Sequence, residues 1–366
     1  MIVRQQNRYK SIFLSAILLI SCFSCETFAF NNPTDRERAV PSISDMVLIY
    51  HGGTQRPQWN TNQLRPYIFR ENSGKTEWLF DGFLFLEIFD NIQKYNYDPG
   101  FSFRTAGKEQ WEGLLNRYFG EKKGPDALEI VLDSLSRKGK IPVRKRQVVL
   151  SIPCPVNGFK DWGELNGKKL DFNNPDDQAA AAQWFIDEAL KKWNKKNYKH
   201  IQLNGFYWVH EDAAQSEKAL PSVKKYLETK NLKFVWIPYW GAKGKGNWEK
   251  LGFDLAWQQP NYFFSTNIAK QRLTDACSFA KEHNMGLEME FDERVFKPEF
   301  RSRYYDYISV FNENNVWELS PVAYYEGGGA WMQMAKSKDP EIQKAFDTLS
   351  NIVVRRQINA DKIHKH

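Results

Sequence analysis

The sequence predicts a single large domain folded as a (β/α)₈ barrel of the TIM type. Three observations lead there. Short apolar, β-rich runs alternate with longer amphipathic segments along most of the chain. The runs number eight, as a closed barrel requires. Several of them are continuous apolar or aromatic stretches without strict alternation, which is how parallel strands covered on both faces read.

In order, the expected strands are 46–50, 78–86, 147–153, 200–209, 233–240, 254–259, 285–291 and 316–324. Between them lie helix candidates. Residues 176–197 open with aspartates and carry Ala180, Trp184, Ala189 and Trp193 near helical spacing. Residues 267–283 repeat the pattern through Ile268, Leu273, Ala276 and Ala280. Residues 298–314 begin with Pro298 in the first turn, where its missing N–H is not needed. The second crossover is longer than the others and holds two candidates, 109–118 and 125–138. A last helix, 340–358, closes the fold, with the chain frayed beyond it; the basic C-terminal tail is set at 353–366. No Gly/Ser-rich or Pro-rich linker divides the barrel domain, placed at 45–352.

The N-terminus reads as an export signal over residues 1–29, followed by a polar leader over 30–44. Arg4, Arg8 and Lys10 precede an uncharged run from Ser11 to Phe23, too short for a permanent membrane helix. Two processing routes fit. Leu19-Ile20-Ser21-Cys22 reads as a lipobox with acylation on Cys22, and Thr27-Phe28-Ala29 reads as a cleavage site before Phe30. The first would tether the protein to a membrane of the envelope; the second would leave it free in the periplasm or medium. Of four cysteines, Cys22 and Cys25 lie in the signal, which leaves Cys154 and Cys277. Two buried thiols are expected, with one disulfide as the alternative.

The chain carries a net charge of +7, with +2 of it in the first 29 residues and a surplus at Arg355, Arg356, Lys362 and Lys365. No basic stripe with interleaved aromatics exists, which argues against nucleic acid as a partner. Aromatic residues make up 15% of the chain, a share that suits either stacking on sugar rings or filling a large barrel.

In such barrels the carboxyl ends of the strands hold the active site. The fourth run ends Tyr207-Trp208-Val209-His210-Glu211-Asp212, with Tyr207, Val209 and Glu211 on one face and Trp208 and His210 on the other. Glu211 among bulky aromatics suits a proton donor, and Asp212 a helix cap. The seventh run places Glu288, Glu290 and Asp292 on one face of a strand whose other face is apolar. Buried carboxyls so close together are costly unless paired or needed. Glu290 is the candidate nucleophile, with Asp292 in reserve and Glu288 deeper.

A glutamate closing the fourth strand and another closing the seventh is similar to the clan A, or "4/7", retaining glycoside hydrolases. That resemblance implies Glu211 as acid/base and Glu290 as nucleophile, with carboxyls about 5–5.5 Å apart. The clan usually has Asn before the fourth-strand glutamate; here His210 stands there and would have to replace it as a hydrogen-bond donor. Over most of the chain, Leu48-Ile49-Tyr50-His51-Gly52-Gly53, Trp78-Leu79-Phe80-Asp81-Gly82-Phe83-Leu84-Phe85 and Gly205-Phe206-Tyr207-Trp208 resemble an uncharacterised family of secreted, Bacteroides-type proteins of unknown function. Other strand ends offer sugar-binding groups: His51, Trp240, Gln258, Asn261, Tyr262, Tyr324, Glu326 and Trp331.

Asp81 begins a stretch similar to the chitinase-type acidic strand, but Leu84 and Leu86 replace its inner aspartates, so Asp81 is expected to line the barrel or pair with a base. No His-x-x-x-His or Cys-x-x-Cys pair suggests a metal, no phosphate loop suggests a nucleotide, and no cofactor is expected. A Gly-x-Ser-x-Gly elbow is also missing, which argues against an esterase. The reading is therefore a retaining glycoside hydrolase on oligo- or polysaccharide, with a non-catalytic carbohydrate-binding barrel as the alternative. Mass spectrometry of the protein from envelope fractions should find an N-terminus at acylated Cys22 or at Phe30. An intact Met1 would overturn the export reading.

Overall fold

The computed structural model describes residues 42–101 and 103–363, so the expected signal segment, with Cys22 and Cys25, lies outside the described residues. Eight parallel strands close into one barrel: β1 (Asp45–Tyr50), β2 (Gly82–Leu86), β3 (Arg146–Ile152), β4 (Ile201–Trp208), β5 (Lys233–Trp236), β6 (Leu255–Gln258), β7 (Gly286–Glu290) and β8 (Val322–Tyr325). Each strand lies beside its neighbour in sequence, and β8 returns to β1. The principal helices around it are α1 (Thr61–Ile68), α2 (Lys108–Tyr118), α3 (Pro125–Ser136), α4 (Pro175–Asn194), α5 (Leu220–Thr229), α6 (Gln271–Glu282) and α7 (Pro298–Glu313). Proline occupies the first turn of α3, α4 and α7, where an N–H would be unpaired anyway. No helix among the described residues is long and apolar enough to cross a membrane.

Three expectations need correction. Residues 78–86 do not form one strand: Lys75–Trp78 pairs antiparallel with Phe69–Asn72, and β2 starts only at Gly82. In the run 316–324, Val316–Leu319 is a short helix, and β8 begins at Val322, after Pro321. Nor does the chain fray directly after 358. The final helix runs Pro340–Ile363 and buries Arg356 and Gln357. Tertiary partners explain this, because a basic side chain that finds a buried carboxylate is no longer a solvated tail.

The side chains sort into two layers. Met46, Leu48, Leu84, Val149, Tyr207, Val235 and Trp257 pack with one another in one cluster. Val47, Ile49, Phe83, Phe85, Trp208 and Phe234 belong to a second, larger cluster with residues of the helices. Period-two alternation sends successive residues to opposite faces. In β4 that phase changes midway. Pairing with β3 shifts register between Leu203 and Gly205, and a Cβ on Gly205 would come within 2.0 Å of the Lys233 carbonyl oxygen. Leu203 thus joins the helix-side cluster, while Tyr207 and Val209, of the same parity, join the inner one.

Ion pairs bind the amino ends of the strands. Asp45 accepts from Arg356 Nε (2.6 Å), Gln357 Nε2 (2.8 Å) and the Tyr324 hydroxyl (2.7 Å). Asp81 accepts from Arg144 Nη1 (2.7 Å) and from the Asp45 N–H (2.8 Å), so it pairs with a base as one of the two expectations had it. Arg144 reaches on to Asp361 (2.8 Å). The final helix is thereby fastened to β1. Arg356→Ala leaves Asp45 buried without its cation, and should lower the unfolding free energy by about 3–5 kcal/mol in urea denaturation.

Candidate functional site

A cavity of about 230 Å³ is walled by the carboxyl ends of the strands and the loops after them. Glu211, Glu288 and Glu290 line it together with Tyr50, Tyr207, Gln259, Asn261, Phe264 and Tyr325. β4 delivers Glu211 because Tyr207, Val209 and Glu211 share the inward phase set by the Gly205 shift. β7 delivers the other two at alternate positions, paired in register with Ala323 and Tyr325 of β8.

The three carboxyls have different surroundings. Glu290 is buried and accepts hydrogen bonds from the Tyr307 hydroxyl, the Tyr262 N–H (3.2 Å) and Asn261 Nδ2 (3.1 Å). Burial raises its proton affinity to about 8 against these donors, and Glu211 adds to the rise. Glu211 keeps part of its surface open, yet its walls desolvate it enough to push the carboxyl up to about 7; a hydrogen bond from Gln259 opposes this. Glu288 is only 2% exposed, and its Oε1 has no hydrogen-bond partner. Burial, then the charges of Glu290 and Glu211, holds it well above the usual carboxylate range.

His210 does not point its Nδ1 at the cavity. That atom meets Asp98 at 2.8 Å, and Asp98 comes from the elaborated second crossover. Burial alone would lower the proton affinity of His210, but the bond to Asp98 and the charges of Asp98, Asp212 and Glu211 outweigh it and raise it. Asp212 caps the turn Ala213–Gln215 as expected. Cys154 lies beside this pair. Asp98, Cys154 and His210 are the one group of metal-ligand type among the described residues, with donor atoms within 4.8 Å of one another. Asp98 and His210 are bonded to each other, and burial pushes the Cys154 thiol up. Cys154 and Cys277 are both buried free thiols.

Of the other residues expected here, Tyr207 and Asn261 line the cavity. Tyr262 serves Glu290 through its backbone, while its hydroxyl bonds Asp306 (2.8 Å). Trp240 accompanies Asn261, whose Oδ1 accepts its backbone N–H at 2.6 Å, and Lys245 and Arg272 both lie within 4.5 Å of its ring centroid. Gln258 is buried, its amide spent on the Gln259 carbonyl (2.7 Å). Asp292 pairs with Arg294 (2.6 Å) and caps the next turn, so it is not a free third carboxylate. Trp208, Tyr324 and Trp331 are fully buried and form no sugar platform. Trp208 packs near Phe234, Tyr324 serves Asp45, and Trp331 bonds the Pro66 carbonyl (2.8 Å). Glu326 is buried under Trp331, whose N–H it accepts at 2.9 Å. His51 stacks on Tyr118 of α2, outside the carboxyl cavity.

Sequence reasoning did not single out Tyr50, Phe264 and Tyr307 as site residues. Alternation along β1 could have found Tyr50. Nothing local marks Tyr307, which arrives from α7.

The unpartnered Glu288 makes a prediction with a definite sign. Its folded proton affinity exceeds the unfolded one, so its stabilising contribution is complete below about pH 4.5 and is lost as pH rises through the folded value. Glu288→Gln should remove that loss. The variant is expected to match the parent in thermal melts at pH 5 and to exceed it at pH 8.5 by about 1–3 kcal/mol, the cost of an unsatisfied buried polar group.

Comparison with known proteins adds the following. No curated protein matches the chain. Solved structures similar to it include a family 18 chitinase from Crocus vernus, at 11% identity and a TM-score of 0.44, covering 83% of this chain and 99% of that one. Concanavalin B is similar at 11% identity and a TM-score of 0.38, covering 85% and 98%. The tryptophan synthase α-subunit of Pyrococcus furiosus is similar at 10% identity and a TM-score of 0.39, covering 86% and 98%. None reaches a TM-score of 0.5, so they say nothing of activity. A family model matches residues 45–351, the whole barrel from the first residue of β1 into the final helix, and the chain therefore belongs to the family described as domain of unknown function DUF4855.

Proposed function

We propose that this protein is a retaining glycoside hydrolase of the bacterial envelope, acting on oligo- or polysaccharide. The observation that supports it most is the meeting of Glu211 and Glu290 in one aromatic-walled cavity, with three donors aimed at Glu290. Those donors orient a carboxylate for attack on an anomeric carbon. Glu211 is lifted to about 7 by burial and can hold the proton that the leaving oxygen needs. In the first step Glu290 bonds the anomeric carbon as the glycosidic bond breaks, and Glu211 gives its proton to the leaving oxygen. In the second, Glu211 takes a proton from water, which displaces Glu290.

In the free protein burial lifts both carboxyls toward neutral pH, Glu290 to about 8 and Glu211 to about 7. Catalysis requires Glu290 ionised while Glu211 keeps its proton, as a ring with developing positive charge at Glu290 would favour. That the cavity is lined by no cation to hold Glu290 ionised favours the second reading, a carbohydrate-binding barrel without turnover.

Turnover separates the two. With aryl glycosides, Glu211→Gln and Glu290→Gln should each reduce kcat by roughly 10²–10⁴-fold or more. Azide should restore rate to Glu290→Ala, and proton NMR should show a first product of unchanged anomeric configuration. kcat/KM should peak between pH 7 and 8, falling below as both carboxyls are protonated and above as both ionise. Glycan binding by the wild-type protein with no turnover of any substrate would establish the second reading.

A further inference from the structure

A second cavity, of about 330 Å³, lies on the other side of the end of β1. His51, Thr54 and Gln58 of the loop after β1 form one wall; Asn116 and Arg117 of the last turns of α2, with Lys123, form the other. The lining contains two cations and no carboxylate. Among the described residues neither cation has an ion-pair partner. Arg117 donates to the Gly52 carbonyl and to the Tyr97 hydroxyl (2.8 Å), and Lys123 donates to Gln58 Oε1.

The acids on the adjoining loop are hydrogen-bonded elsewhere, although Asp90 also feels the charge of Arg117. Glu87 takes the Gly53 N–H (2.8 Å) and Arg56 (2.7 Å). Asp90 takes the Thr54 N–H (3.0 Å) and hydroxyl (2.6 Å), with the N–H groups of Ile92 and Gln93. The positive field is felt by His51, which burial, helped by the charges of Lys123 and Arg117, lowers to about 4. The ring is therefore neutral, and it leaves the cations to face the cavity alone.

We propose that this cavity binds an anionic substituent, a sulfate or a carboxylate, on the same glycan whose reacting ring enters the carboxyl cavity. The placement rests on the hydrolase reading; the anion site itself does not. Tyr50 lines one cavity and His51 the other, so the two sites diverge at adjacent residues, whose Cα atoms are about 3.8 Å apart. One cavity is lined by no cation and the other by two. An anionic group would find nothing to pair with beside the buried carboxyls and would be drawn to Arg117 and Lys123, which orients the chain across the mouth.

Calorimetry on the mature protein tests this with a sulfated oligosaccharide, its uronic-acid counterpart and the neutral parent, and with inorganic sulfate as minimal probe. At low salt one anionic form should bind on the order of tenfold more tightly than the neutral one, the worth of one hydrogen bond to a charged group. Which form gains identifies the substituent. Lys123→Glu, which leaves the structural bonds of Arg117 in place, should abolish the gain, as should Arg117→Ala/Lys123→Ala. Neither should change turnover of a small neutral aryl glycoside. Equal affinity for all three glycans, or a gain that survives Lys123→Glu, overturns the proposal. Anion binding without turnover of any glycoside would retain this site and discard the hydrolase reading.

Discussion

The parallel pairing of β8 with β1, which sets Asp45, Met46 and Val47 opposite Val322, Ala323 and Tyr324, leaves an eight-stranded sheet with no free edge. The rest of the molecule follows from that closure. Every strand residue then has only two destinations, the barrel interior or the layer beneath the helices, and the phase of each strand decides which. Beside β8 lies β7, whose Glu288 and Glu290 sit next to Ala323 and Tyr325 and are buried in the interior.

The two ends of this interior treat charge in opposite ways. At the amino ends, Asp45 and Asp81 are each matched by an arginine and by further donors, and the final helix is bound there. At the carboxyl ends, three carboxyls share a cavity lined by no cation. Removing charge from water costs several kcal/mol unless it is matched. The first arrangement offsets that cost and serves stability. The second leaves it in place, and the consequence is a set of carboxyls that hold protons near neutral pH. Such displacement is what acid–base chemistry on a sugar needs.

The elaborated second crossover bears on function in two places. One of its loops carries Asp98 to His210, next to Glu211. Its first helix, α2, supplies Arg117 to the cationic cavity beyond β1. The same insertion thus touches the neighbour of one candidate catalytic residue and builds a second charged surface beside the mouth.

The sequence by itself determined the barrel, because apolar runs, their number and their spacing are local properties that survive in one dimension. It also pointed to Glu290, which ends the seventh strand, and to Glu211, which lies just beyond the fourth, since strand ends are counted along the chain. What it could not decide was anything that depends on a distant partner. The phase of β4 hinges on the approach of Gly205 to the Lys233 carbonyl, and only that shift turns Glu211 inward while Leu203 faces the helices. Trp331 reads as an open sugar platform until it is found buried, its indole N–H bonded to the carbonyl of Pro66, 265 residues away. Arg356 reads as a solvated tail until Asp45 is found 311 residues away. Tyr307 and the unpartnered Glu288 are likewise properties of closure, because a hydrogen bond between distant residues leaves no periodicity and no motif behind.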